Sequence, residues 1–119
     1  MSRKTATVLS LGDYRMRQRT LYFSRAELNQ LLGLYSLHVI RGVWRDYAID
    51  HQPGVARFSV FRHTHEAPAY TILKTGQSAG RPAEFIVQSG RQKLRVSRNL
   101  AEALDYFRTH LSLVATAPG

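Results

Sequence analysis

Three clusters in this chain have residue types and spacings that chemistry can use. The run Trp44-Arg45-Asp46-Tyr47-Ala48-Ile49-Asp50 puts Asp46 and Asp50 on the same side of an extended segment as Trp44. Paired carboxylates divide acid and base roles only where their environments separate their pKa values, and nothing in this run supplies that separation. Ion pairs with Arg57 or Arg62 on a neighbouring strand account for the same residues more simply. The loop His63-Thr64-His65-Glu66 places two imidazoles one residue apart beside a carboxylate, which is a minimal metal pattern. The further ligands are missing: His51 falls at the far end of the preceding strand, and His38 belongs on the apolar face of a helix as a hydrogen-bonded core residue. No glycine-rich phosphate loop, nucleophile elbow or dinucleotide fingerprint is present. The expectation is therefore no catalytic residue, no metal and no cofactor.

The third cluster is cationic. Fourteen of the seventeen basic residues are arginine, and the net charge is +9 in 119 residues. Two stretches, 3–19 and 81–98, each hold five cations and one carboxylate. Arginine matters because the planar guanidinium forms bidentate bonds to phosphate or carboxylate and stacks on rings. In the first stretch Arg15, Arg17 and Arg19 share one side of an extended segment. In the second, Arg91, Lys93 and Arg95 form a row with donors about 6.7 Å apart, flanked by Arg81 and Arg98. Such a row fits a nucleic-acid backbone or an acidic protein surface. A solvated face that guards a sheet edge against aggregation uses the same residues. Trp44 and Tyr47 are the aromatics expected to keep some exposure, because each is amphipathic. The other rings belong in the core. Phe58 and Phe61, three apart, point to opposite faces and do not make the stacking platform of ribonucleoprotein sheets.

The elements that carry these residues are legible in the pattern. Ser24 and Glu27 form a capping box, with Phe23 and Leu28 as a hydrophobic staple, so a helix begins there. Leu28, Leu31, Leu32, Tyr35, His38 and Val39 recur at spacings of three and four, and Arg41-Gly42 closes the helix. The period then changes to two. Residues 44–50 and 55–62 read as a hairpin around His51-Gln52-Pro53-Gly54, with proline at the first central turn position. A third strand covers 69–75. Residues 83–88 and 91–97 form a second hairpin around Ser89-Gly90, pairing Val87 with Gln92, Phe85 with Leu94 and Ala83 with Val96. That register puts Gln88 opposite Arg91, Ile86 opposite Lys93 and Glu84 opposite Arg95. Asn99 with Glu102 caps a last helix, whose Leu100, Ala103, Leu104, Phe107 and Leu111 share a face. The sum is an α+β domain: a mainly antiparallel sheet of about five strands with an N-terminal and a C-terminal helix on one face. Its expected bounds are residues 23–111, after a basic, largely flexible arm at 1–22 and before a frayed tail at 112–119.

Phe23-Ser24-Arg25-Ala26-Glu27-Leu28-Asn29, Leu34-Tyr35, the Trp44–Asp50 run and Phe58-Ser59-Val60-Phe61-Arg62 resemble a family of small alpha-proteobacterial proteins known only as a domain of unknown function. The likeness spans about residues 23–108. It implies a bacterial, cytoplasmic setting and transfers no catalytic residue.

The absence of cysteine excludes disulfides, thiol catalysis and cysteine-ligated metals, and is compatible with a reducing cytoplasm. The short, interrupted apolar stretch at 6–11 reads as neither signal peptide nor membrane span. The resulting expectation is a small basic binding module, not an enzyme, that engages an acidic partner, foremost a nucleic-acid backbone. The alternative is a regulatory adaptor for an acidic protein, with the helix at 24–41 or a strand edge supplying apolar contact. Apolar residues exposed beside the basic strand would favour the protein partner; a wholly polar surround would favour nucleic acid.

Overall fold

The first helix starts where the cap demands it. The Ser24 amide donates to Glu27 Oε1 at 2.7 Å and the Glu27 amide donates to Ser24 Oγ at 3.1 Å, so two otherwise orphaned donors are satisfied reciprocally. The computed structural model describes residues 20–64, 66–76 and 81–116. In it α1 spans Arg25–Ile40, followed by β1 Asp46–Gln52, β2 Val55–Phe61, β3 Tyr70–Thr75, β4 Glu84–Ser89, β5 Gln92–Ser97 and α2 Leu100–Thr116. The last helix runs past the expected end at 111. Arg15, Arg17, Arg19 and most of the arm lie outside the described residues.

The five strands form one antiparallel sheet in the order β1-β2-β3-β4-β5, so each strand pairs with its sequence neighbour. At the first hairpin β1 continues through Gln52, which pairs with Val55. Pro53 and Gly54 alone make the turn, and Gly54 takes φ 76° as the second central residue, a conformation that glycine adopts without strain.

Strand alternation divides the sheet into two faces. One carries Ala56, Phe58 and Val60 of β2, Ile72 of β3, and Phe85 and Val87 of β4, all buried. Phe23 and Leu31 from the first helical segment and Leu100, Ala103, Leu104 and Phe107 from α2 join them in a single core. Both helices therefore cover the same face. Phe107 is wholly buried, with its edge against Trp44 at 5.4 Å and Tyr70 at 5.1 Å. Removing its ring would cost about 3–5 kcal/mol through lost transfer energy and the cavity left behind. Val39, expected on the buried stripe of α1, is 40% exposed.

The other sheet face carries Arg57, Ser59, Leu73, Thr71, Gln88, Lys93 and Val96, none of them buried, together with Ile86. Cross-strand register aligns Leu73 with Ile86 and Ile86 with Val96, so three apolar side chains form a row on that face.

Among the described residues of the strands, Lys74 is the charged side chain buried on the covered face. Lys74 alternates with Ile72 and Tyr70, opposite Ala56 and Phe85, and is only 6% exposed. Its ammonium donates to Glu27 Oε1 and to the Tyr22 carbonyl, each at 2.9 Å. A charge buried against an apolar sheet needs such partners. The same lysine thus joins the cap of α1, the middle strand and the chain just before the helix. The segment is also held by a Leu21 amide bond to the Gln52 carbonyl at 3.1 Å and a bridge between Thr20 and Pro53. Thr20, Leu21 and Tyr22, which precede the expected start at Phe23, are thus tied to the first hairpin and to Lys74.

Candidate anion-binding surface

The β4–β5 hairpin determines what the second cationic stretch can do. Its turn is Gly90-Arg91, not Ser89-Gly90: Ser89 pairs with Gln92 and Gln88 with Lys93. Gly90 has φ 60° and no other residue type has positive φ among the described residues. A two-residue turn with glycine first needs only that one positive φ, whereas glycine second would have forced it on Ser89 as well. Beyond Gln88 the register shifts, and Val87 pairs with Arg95, Ile86 with Val96 and Phe85 with Ser97. Leu94 is the extra residue of this bulge, and it packs against the core from the side.

The bulge breaks the row of cations. Lys93, opposite Gln88, points to the open face, while Arg95, opposite Val87, points to the helix-covered face. There its guanidinium donates to the Glu102 carbonyl of α2 at 3.0 Å. Arg95 is thereby part of the network that starts this helix, in which Asn99 Oδ1 accepts from the Glu102 amide at 3.1 Å and Ser97 Oγ donates to Glu102 Oε2 at 2.8 Å. Arg91 sits in the turn, at the far end of the hairpin from Arg81 and Arg98. Those two line a pocket of about 170 Å³ with Gly76, Pro82 and Glu84. Glu84, expected opposite Arg95, stands instead with this arginine pair and offsets part of its charge.

The other candidates resolve differently. Trp44, expected to keep exposure, is 1% exposed. Its ring stacks on His38 at 4.2 Å and 18°, because the chain leaving α1 turns back beneath the helix, with the Val43 amide donating to the His38 carbonyl at 2.8 Å. Tyr47 is 39% exposed and packs on Phe58 and on the edge of Tyr35. Asp46 accepts from the Tyr47 amide and Asp50 from Gln52 Nε2. Asp50 faces Arg57 across the strands, yet no ion pair joins them among the described residues. His63 lies 3.8 Å from Glu66 on the surface; His65 is outside the described residues. No group of three or more metal-ligating side chains occurs among the described residues.

His38 is a core histidine, 2% exposed, with Nδ1 2.9 Å from the Leu34 carbonyl. That carbonyl can only accept, so Nδ1 carries the proton. Burial first, and then the charge of Arg41, lower its pKa from the ordinary histidine range, while the Leu34 bond acts in the opposite sense. His38 Nε2 and Trp44 Nε1 are buried without a hydrogen-bond partner among the described residues.

A second surface was not singled out in the sequence. Between α1 and α2 runs a groove of about 490 Å³, with Leu34, Leu37, Ala101, Leu104 and Phe107 as its apolar lining and Arg41 and Arg108 among its polar residues. Gly33 also lines it, and a Cβ there would meet nothing within 4 Å. The signal in the sequence is a glycine inside a helix whose apolar residues exceed one stripe, since Leu34, Leu37 and Ile40 fall outside the expected buried set. Lys74 carried a signal as well: it occupies an inward position in strict alternation with Tyr70 and Ile72.

The architecture defines the class: a five-stranded antiparallel meander with two helices on one face and an apolar row on the other. The family whose model matches residues 21–104 is described as a protein of unknown function, DUF2794. That match covers most of the chain, which belongs to this family. No curated protein and no solved structure matches the chain. No described helix is long and apolar enough to cross a membrane.

Proposed function

We propose that this protein is a non-catalytic binding module for an acidic partner, and that the partner is an acidic protein. The observation that supports a protein over a nucleic-acid backbone is the surround of Lys93. On its face of the sheet lies the row Leu73, Ile86 and Val96, in which Val96 is 50% exposed, Leu73 half-buried and Ile86 buried. A phosphate backbone offers nothing to an apolar row, whereas a protein interface joins such a centre to a charged rim. The division of Arg91, Lys93 and Arg95 among turn, open face and helix cap weighs in the same direction, since no continuous row of donors is left to follow a strand of phosphates. The resemblance to alpha-proteobacterial proteins supports a bacterial, cytoplasmic setting for this role.

The test is a fluorescence-anisotropy titration with three labelled probes at low and moderate salt: a copolymer of glutamate and tyrosine, a random DNA duplex and a single-stranded RNA. The copolymer is expected to bind in the micromolar range, more weakly at higher salt, and to lose affinity in a Val96→Ser variant, which removes apolar surface without changing charge. Tighter binding of DNA or RNA, unaffected by Val96→Ser, would assign the surface to nucleic acid. No binding of any probe at low salt would refute the acidic-partner reading and leave the charge as a solubility device.

A further inference from the structure

We infer that the groove between α1 and α2 is a docking site for an acidic amphipathic helix of the partner, an inference that rests on the acidic-partner reading above. Gly33 carries it. Glycine inside a helix destabilises it relative to alanine, and a glycine is normally retained there for a left-handed backbone or a close packing neighbour. Gly33 has neither: its φ is not positive, and the space where a Cβ would stand is open. Its consequence is a notch in the wall of the groove. Ala101 on α2 is the second small residue in that wall, so the backbones of both helices are accessible to a third one.

The apolar surface fits the same occupant. Leu37 is 45% exposed and Ile40 82%, and with Gly33 they follow the spacing i, i+4, i+7 along one side of α1. The groove extends from Asn29 to Arg41, about 18 Å at the helical rise per residue, which matches three turns of a partner helix. Its depth is lined by Leu34, Leu104 and Phe107, the kind of seat into which helices lay an apolar stripe.

Charge selects the partner. Arg41 lies at one end of the groove on α1 and Arg108 on α2. Arg108 is paired with Asp105 at 2.9 Å on the surface, with its side chain 80% exposed. Exposed pairs of that kind are weak and exchange partners readily. A second copy of this chain would bring another +9 charge to the same place, and a nucleic-acid backbone has no stripe for the apolar lining. A helix with leucines on one face and glutamates on the other satisfies both features.

The test uses a labelled synthetic 16-residue helix with leucines at i, i+3, i+4 and i+7, four glutamates on the opposite face and alanines elsewhere, its composition-matched scramble, and the copolymer of glutamate and tyrosine. The helix is expected to bind at least tenfold more tightly than the scramble. Gly33→Gln, whose Cβ would meet no neighbour within 4 Å and whose side chain would enter the notch, is expected to weaken helix binding at least tenfold while leaving copolymer binding unchanged and thermal stability unchanged or raised. Leu37→Asp, at an exposed position, gives the same loss. Equal binding of helix and scramble, or full affinity in both variants, would overturn the groove while the copolymer still reported an acidic-partner surface. Failure of the copolymer together with the helix would overturn both readings.

Discussion

Replacing Lys74 with alanine removes a cation that the sheet buries beneath the helices. The ammonium is 2.9 Å from Glu27 Oε1 and 2.9 Å from the Tyr22 carbonyl, and the side chains of Lys74 and Glu27 are 7% and 19% exposed. At an effective dielectric of about 20, the attraction at this distance is roughly 6 kcal/mol, most of it offset by the desolvation of both ions. The net value of the pair is therefore small, but loss of one partner strands the other. Uncompensated buried charge typically costs about 3–5 kcal/mol, and the residual exposure of Glu27 puts Lys74→Ala near the low end. Urea denaturation should show a loss of about 3 kcal/mol and thermal melting a drop of roughly 10 °C or more. The double variant Lys74→Met, Glu27→Gln should recover at least about half of that loss, because methionine refills the volume and the glutamine oxygen still accepts from the Ser24 amide. Hydrogen exchange should quicken at the Leu21 amide, since the chain around Tyr22 loses its tether. A loss under about 1 kcal/mol, the range of an exposed pair, would refute the reasoning. So would a double variant no more stable than the single one.

Three other substitutions probe the same framework. His38 has a lowered pKa when folded, so between its folded value and about 6.5 the unfolded chain binds more protons than the native one. Its contribution is complete above about pH 6.5 and falls by up to about 1.4 kcal/mol per pH unit below it. Urea midpoints at pH 8 and pH 5 should therefore fall more in the parent than in His38→Phe; parallel declines would remove the histidine as the cause. Arg95→Ala should cost about 1 kcal/mol by losing its bond to the Glu102 carbonyl, whereas Lys93→Ala should stay within about 0.5 kcal/mol. Chemical denaturation of the two variants separates a structural arginine from a surface lysine, and equal effects would contradict the placement of Arg95 under α2.

The local elements were legible because their causes are local. The Ser24–Glu27 box, the Asn99 cap, the Pro53-Gly54 turn and the alternation along β2 and β4 each depend on residues a few positions apart, and the α+β architecture follows from their order. The interior position of His38 was legible for the same reason, as it shares the spacing of Leu31 and Tyr35. The β4–β5 register was not, since pattern alone admits glycine at either central turn position, and a bulge at Leu94 leaves the residue types almost unchanged while reversing the direction of everything beyond it.

By itself, then, the sequence determined the charge, the absence of thiol chemistry, the helices and strands, and one apolar side for most of them. Only the tertiary structure decided where the cations point: Lys93 to the open face, Arg95 to the helix cap, Arg81 and Arg98 to a shared pocket. It also buried Trp44 under α1, drew Lys74 and Tyr22 together across 52 residues, and opened the groove beside Gly33. Each of these depends on how separate elements are placed against one another, and their spacing along the chain carries no direct record of that placement.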